Sequence, residues 1–359
     1  MDQNFRVGHS SNPDWSGAIK ECLEQVGNTD GFTLGFLYVV EPLGQALNSI
    51  LDKLRSETAI TDWTGASAIG ILANDVEYFE RHAVAIMVAQ LPQNSFETFE
   101  EQIPLHKNFA VAHCDSRRPD IERHIIELTN TQNCFLVGGL TMPEGYRINN
   151  RAVPDWRTTG VAFSEDVHVQ TGVTQGCTPI GPIHVITRCR DNVAFMIDDQ
   201  PALQVFKNEI GPVLSKRLEN AAGYIFAAKP IPNSDTGDYL VRNIVGVDPE
   251  RNLLAIAAAI QPGDQILFCK RDDASAKTDL ANMTQNVVKR LTGPARGALY
   301  YSCVARGPNL FGEESQEIRI IQSALDPDGR GIPLIGFFAN GEISNDRLYT
   351  YTGVLAVFS

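Results

Sequence analysis

A chain of 359 residues with 43% apolar and 20% charged side chains has the balance of a globular protein that fills a real core, enough for two ordinary domains or one large one. Its formal net charge of −13 repels phosphate backbones, which excludes nucleic acid as an expected partner. The opening MDQNFRVGHSS lacks a basic stretch followed by an apolar one, and the longest apolar run is LLAIAAAI at 253–260. That run is far short of the roughly 20 residues that span a bilayer, so a soluble, cytoplasmic protein with no membrane partner is expected. Cys22, Cys114, Cys134, Cys177, Cys189, Cys269 and Cys303 form no CxxC pair and are odd in number. They read as free thiols in a reducing compartment, not as a disulfide framework or a zinc site.

The first predicted element is a helix capped by Asn12 with Pro13 at its first position, placing Trp15, Ile19, Cys22, Leu23 and Val26 on one face. A buried strand, FTLGFLYVV at 32–40, follows. Leu43, Leu47, Ile50, Leu51 and Leu54 come next at helical spacing, and a second strand is expected at 66–74, ASAIGILAN. Strand, helix, strand implies a parallel pair. The same order returns with FAVAHC at 109–114, a helix carrying Ile121, Ile125 and Leu128, and CFLVGGL at 134–140. It returns again with a strand at 298–304, a helix carrying Ile318, Ile321 and Leu325, and LIGFFAN at 334–340. IGILAN at 69–74 and IGFFAN at 335–340 look alike, and each precedes a further strand, HAVAIMVAQL or YTGVLAVF, which reads as an internal duplication.

Between the repeats lies a β-rich middle. It holds strands within 160–173, a hairpin of HVITRC and VAFMI turning at 190–192, a helix at 201–211, and a hairpin turning at 248–252. AKPIPNSDTGDY at 228–239 is the linker candidate, which divides the chain into domains 1–227 and 228–359. The fold class is therefore mixed α/β: two related lobes, each a mixed parallel and antiparallel sheet with helices packed on it, built from repeated strand–helix–strand units.

In such sheets ligands sit beyond the carboxyl ends of parallel strands. LYYSCVARGPNLFG at 299–312 ends a strand at Cys303 and Val304 and places Arg306 and Gly307 past that end. The parallel partner places Asn340, Gly341 and Glu342 past the same edge. Arg306 would take a carboxylate bidentately and Glu342 an ammonium, which suits a zwitterion, while the two glycines would let backbone approach it. The alternative is that Arg306 and Glu342 pair with each other. In the first repeat Asn74, Asp75 and Val76 stand where the last has Asn340, Gly341 and Glu342, so a site there would differ in chemistry. Gly138 and Gly139 end a strand opposite Asp115 and Ser116, a second candidate edge, and QGCTPIG at 175–181 reads as a tight β connection.

Cys303 has no histidine after it in the sequence, the last being His184, so a structural thiol is expected and a cysteine-dependent hydrolase is the alternative. His113 and Cys114 are strand neighbours and point to opposite faces, so they form no dyad. No histidine lies at a metal-binding spacing, and no GxGxxG or GxxxxGK[ST] loop is present.

SCVARG together with GFFANGEIS resembles the C-terminal half of FIST proteins. QGCTPIGPIHVIT and DNVAFMIDDQPALQVF resemble the end of their N-terminal half, and LFCKRDD and YTGVLAV fit as well. The resemblance runs from about Gly31 onward. It implies FIST N-terminal and C-terminal domains and a sensory role in intracellular signal transduction, with amino acids or related compounds as ligands. Some bacterial members bind haem and respond to nitric oxide, so haem is the alternative to having no cofactor. Animal members carry an F-box. With only about 30 residues ahead of the first buried strand, this chain is expected to signal through a separate partner. The resemblance brings no catalytic residue set, so no enzyme is expected; a protein-interaction scaffold without ligand is a further alternative. The family's C-terminal arginine-glycine and glycine-glutamate positions match Arg306, Gly307, Gly341 and Glu342.

Overall fold

The computed structural model describes residues 4–41, 43–232, 238–329 and 331–359. They fall into two compact units, Met1–Thr174 with Lys277–Ser359 (unit 1) and Gln175–Ala276 (unit 2).

Unit 1 opens with β1 (Phe5–Ser10) and α1 (Trp15–Val26). The cap of α1 is Asp14, whose carboxylate accepts from the Gly17 N–H; Asn12 instead accepts from the Asp14 N–H. β2 (Leu34–Val40), α2 (Leu47–Thr58) and β3 (Asp62–Ala68) form the expected unit with a parallel strand pair. The chain breaks at Ile69, makes a hairpin of β4 (Gly70–Ala73) and β5 (Val76–Phe79), and returns along β6 (Val84–Ala89) antiparallel to β2. The predicted strand at 66–74 is thus two strands. The second run is β7 (Phe96–Glu100), β8 (Phe109–Asp115), α3 (Ile121–Gln132) and β9 (Phe135–Thr141). A hairpin of β10 (Arg147–Asn149) and β11 (Ala152–Val153) follows, then β12 (Thr159–Phe163). β13 (Val169–Gln175) leads out.

Unit 2 contains β14 (Cys177–Pro179), β15 (His184–Arg190), β16 (Val193–Ile197), β17 (Gln200–Pro201), α4 (Ala202–Leu214), β18 (Ile225–Pro230), β19 (Tyr239–Asp248), β20 (Leu253–Ile256) and β21 (Gln265–Arg271). β21, β15, β16, β20, β19 and β18 pair in a closed antiparallel ring, since β18 also pairs with β21. Closure leaves these strands no open edge. Leu203, Phe206 and Ile210 of α4 share the apolar core with Ile186, Leu254 and Phe268. The linker candidate 228–239 joins β18 and β19, which pair with each other within this unit; its residues 233–237 lie outside the described residues.

α5 (Asp273–Arg290) was not read from the sequence, although Ala276, Leu280, Met283 and Val287 are buried at helical spacing. The third run completes unit 1: β22 (Gly297–Cys303), α6 (Pro308–Phe311), α7 (Gln316–Leu325), β23 (Leu334–Ala339), the hairpin β24 (Glu342–Ser344) and β25 (Arg347–Tyr349), and β26 (Thr352–Phe358).

The mixed α/β class with parallel and antiparallel pairing and repeated strand–helix–strand units holds, and the unit occurs three times in unit 1. Its three sheets run β1-β6-β2-β3-β10-β11, β7-β12-β8-β9-β24-β25 and β13-β26-β22-β23-β4-β5. Each hairpin leaves its own repeat and adds to the next sheet in a cycle: β4 on β23, β10 on β3, β24 on β9. The inner faces of all three sheets meet in one core that includes Phe36, Val111, Val161, Leu299, Phe337 and Phe358. β2, β8 and β22 are buried on both faces, which is why they read as continuous apolar runs.

This exchange corrects the apparent duplication. IGILAN and IGFFAN are antiparallel neighbours, Ala73 opposite Ile335 and Ile71 opposite Phe337, and not equivalent positions. The equivalent position is a glycine in each second parallel strand: Gly65, Gly138 and Gly336. A Cβ there would lie 1.8 Å from the Leu37 carbonyl oxygen, 1.9 Å from that of Ala112 and 1.6 Å from that of Tyr300.

Candidate functional site

The strand registers set one polar layer across the middle of unit 1. Tyr38, His113 and Tyr301 occupy matching positions on β2, β8 and β22. They pair respectively with Ala66 of β3, Gly139 of β9 and Phe337 of β23. All three point to the common core. Tyr38 Oη lies 2.9 Å from His113 Nε2 and 3.0 Å from Tyr301 Oη, and the Phe337 ring packs against all three rings. Desolvation, with the Arg147 charge nearby, pushes the His113 imidazole down to about 3, so it is neutral at physiological pH.

The exchanged hairpins extend the layer. Arg147 pairs with Ala66, Glu342 with Gly139 and Ile71 with Phe337, so these three are equivalent positions of the three repeats. Glu342 therefore corresponds to Arg147 and Ile71, and not to the turn at Asn74, Asp75 and Val76. One repeat supplies a cation here, one a carboxyl and one an aliphatic group. Arg147, Glu342 and His113 are each 0% exposed.

The loop after β22 adds the rest. Arg306 is fully buried, and its Nε donates to Glu317 Oε1 at 2.7 Å. Glu317, from the first turn of α7, also accepts from Tyr300 Oη, Ser302 Oγ and the Gly307 N–H. Burial alone would lower the Arg306 pKa, but Glu317 and Tyr300 hold it above the ordinary range, so the guanidinium stays charged. The ion pair that Arg306 forms is with Glu317, a residue the sequence did not single out. The alternative pairing, with Glu342, is only a longer-range attraction. Among the described residues Arg306 Nη1 and Nη2 and Glu342 Oε1 have no hydrogen-bond partner, although the guanidinium stacks over Phe311 at 5.2 Å. The other Glu342 oxygen accepts from the Thr352 N–H and hydroxyl.

The remaining predicted residues divide. Cys303 is buried beside Glu342, and desolvation and that carboxylate push its thiol well up, the opposite of an activated nucleophile. Gly307 has φ +51° and its N–H is taken by Glu317, so it has no free N–H to offer a ligand. The Gly341 carbonyl accepts from the Leu140 N–H, and Asn340 is exposed, its N–H bonded to the Leu140 carbonyl. Asp115 accepts from Arg117 and Arg147, which hold its carboxyl below the usual range although burial opposes them. Sequence reasoning missed Arg147, Glu317, Tyr38 and Tyr301. Aligning LGFLYVV, FAVAHCD and GALYYSC places Tyr38, His113 and Tyr301 in one polar column.

His113 gives Nε2 to Tyr38 and is packed by three rings, while His9, His124 and His184 bond Tyr78, Thr158 and Asp198. Among the described residues no group of three or more histidine, cysteine or carboxylate side chains is arranged to hold a metal.

Two buried carboxyls make stability pH-dependent. Desolvation, partly offset by Thr352 and Arg306, pushes Glu342 up to about 8. Desolvation and the Glu317 charge push Glu77 up to about 8, against its own bonds to the Ser315 and Ile318 N–H groups at the start of α7. Above the ordinary carboxyl range the unfolded chain has lost these protons while the folded chain keeps them. Each carboxyl therefore takes stability away as pH rises from about 4.5 to about 8, while His113, His9 and His124, held neutral by burial, act the other way below about 6.5, so the net fall is expected from about 6.5 to about 8. Glu77→Gln is expected to flatten that slope in urea titrations at several pH values; an unchanged slope would rule Glu77 out as a source.

Three interlocked α/β repeats around a buried polar centre, together with a closed β-barrel unit, define the class of this protein. The FIST N domain matches residues 33–200 and the FIST C domain residues 202–345, so the chain belongs to the FIST family, whose domains are associated with sensing in signal transduction. It is similar to the uncharacterized protein MT0656 of Mycobacterium tuberculosis (strain CDC 1551 / Oshkosh), 30% identical over 53% of this chain and 51% of that protein. It is also similar to the uncharacterized protein Mb0898c of Mycobacterium bovis, 31% identical over 52% of this chain and 49% of that one. The chain thus spans about half the length of the curated relatives it matches. Among the described residues no helix is long and apolar enough to cross a membrane.

Proposed function

We propose that this chain is a non-enzymatic small-ligand sensor. It takes a zwitterionic metabolite, an amino acid or close relative, at the Arg306–Glu342 edge of unit 1 and passes the bound state to a separate cytoplasmic signalling protein. One observation carries this. The outer edge of the Arg306 guanidinium and one Glu342 oxygen are buried and without partners among the described residues, a cationic donor edge and a carboxyl acceptor in one repeat. Buried polar groups left unbonded are costly, and a ligand carboxylate and ammonium would satisfy both groups.

The pairing has a proton signature. Glu342, pushed up to about 8 without ligand, must ionise to hold an ammonium. Binding at pH 7 is expected to release a proton, and affinity to rise with pH up to about 8. Thermal melts against the amino acids, followed by calorimetry in two buffers of different ionisation heat, test this. A ligand at about a hundred times its dissociation constant should stabilise the fold by roughly 2.7 kcal/mol. Glu342→Gln should abolish both the shift and the proton release. No shift with any amino acid would end this assignment of ligand, and a Soret band on the purified protein would replace it with the haem alternative.

A further inference from the structure

Arg147 comes from a different repeat than Arg306 and Glu342, on the hairpin strand β10, and presents its own unpartnered edge. Its Nη1 is engaged by Asp115, the Thr141 hydroxyl and the Gly145 carbonyl. Its Nε and Nη2, the pair on one side of the guanidinium, have no partner among the described residues, and the side chain is 0% exposed. Two other fully buried atoms of the same layer are also without partners: His113 Nδ1 and Thr159 Oγ1. Thr159 pairs directly with His113, and Arg147 is joined to Tyr38, the bonding partner of His113, through Ala66.

The chain of hydroxyls decides what His113 offers. If Tyr301 donates to Tyr38, and Tyr38 donates to His113 Nε2, every link is satisfied and a hydrogen remains on Nδ1. The reverse order strands the Tyr301 hydroxyl hydrogen and also leaves the Nδ1 lone pair bare. The first order is favoured, and it makes Nδ1–H a donor. Arg147 Nε–H and Nη2–H, His113 Nδ1–H and the Thr159 hydroxyl are then all donors in search of an acceptor. Asp115 does not neutralise them, since it is shared with Arg117. Two parallel N–H groups on one guanidinium edge match two oxygens of one planar or tetrahedral anion.

We propose that unit 1 holds a second site, in which the Nε–Nη2 edge of Arg147 takes two oxygens of a small oxyanion, a carboxylate or a phosphate, flanked by His113 Nδ1–H and the Thr159 hydroxyl. This site is independent of the zwitterion site at Arg306 and Glu342.

The test uses the full chain with sodium acetate, sodium formate and inorganic phosphate, each against sodium chloride at matched ionic strength. At least one of these anions is expected to raise the melting temperature above the chloride control. Acetate or formate alone identifies a carboxylate site; phosphate alone identifies a phosphate site. Arg147→Lys keeps the charge, loses the paired edge, and is expected to weaken the effective anion about tenfold or more. Thr159→Val removes an unmet hydroxyl at nearly constant shape. It is expected to melt no lower than wild type without anion, yet to respond less to it, and it carries the test should Arg147→Lys fail to fold. Side-chain ¹⁵N spectra of the anion-saturated protein are expected to show His113 as the Nδ1–H tautomer. The proposal is overturned if none of the anions shifts the melt, if both variants respond as wild type does, or if His113 is the Nε2–H tautomer when saturated. It is also overturned if the response is lost in Arg306→Lys, since the anion then occupies the Arg306 edge or spans both.

Discussion

Glu317→Ala is expected to destabilise unit 1 by about 3–5 kcal/mol, the range for removing one member of a buried ion pair. The cause is the stranding of four donors at once. Arg306 Nε, Tyr300 Oη, Ser302 Oγ and the Gly307 N–H all converge on this carboxylate, and both Arg306 and Glu317 are 0% exposed. Glu317→Gln keeps one acceptor oxygen and is expected to lose less. Replacing both charges, Arg306→Met with Glu317→Leu, is expected to recover much of the loss, because no uncompensated charge is then left in the interior. Urea unfolding of the two single variants and the double variant closes a cycle that isolates the pair. A loss under about 1 kcal/mol for Glu317→Ala would mean that water reaches this pair.

The second large effect belongs to the repeated glycine. Gly138→Ala would place a methyl 1.9 Å from the Ala112 carbonyl oxygen, at φ +145°. Neither the clash nor the dihedral is relieved by turning a side chain, because the obstacle is the backbone of the paired strand. Overpacking and strain each cost about 1–3 kcal/mol, so a loss of about 3 kcal/mol or more is expected. Gly336→Ala, 1.6 Å from the Tyr300 carbonyl oxygen, should be at least as severe. Gly293→Ala serves as the control, since nothing lies within 4 Å of its Cβ position and its φ is not positive. Thermal melts of the three variants check the ordering. A mild effect at Gly138 would mean that β8 and β9 can separate locally without unfolding the sheet.

The repeated strand–helix–strand units were legible because each is a local pattern. An apolar run buried on both faces is followed by a helix whose inward residues recur every three or four positions, as Leu47, Ile50, Leu51 and Leu54 do on α2 and Ile318, Ile321 and Leu325 on α7. The family resemblance was legible for a similar reason, since it rests on contiguous stretches. The clustering of chemistry past the ends of β22 and β23 followed from the direction of a parallel pair. That cue named Arg306 and Glu342 and could not say which groups they meet.

What the sequence could not decide is which strand pairs with which. Every short apolar hairpin strand is acceptable to any sheet edge, and the choice is made by the other sheets already present. IGILAN therefore looked like a repeat of IGFFAN, when it is the strand lying against it. The same limit hid Glu317 and Arg147. QEIRIIQSAL reads as an amphipathic helix with an acid in its first turn, a place where acids are common on solvated surfaces. It is the return of the loop through Gly307 that buries this acid beneath Arg306. RIN at 147–149 carries no periodicity, and only its pairing with β3, which lies directly against β2, places Arg147 in the same layer as Tyr38, His113, Tyr301 and Glu342. The sequence by itself determined the local elements, their burial and the family. The tertiary structure decided the exchange of hairpins and the composition of the buried centre, because pairing between distant segments is a property of the whole packed core and leaves no mark on either segment alone.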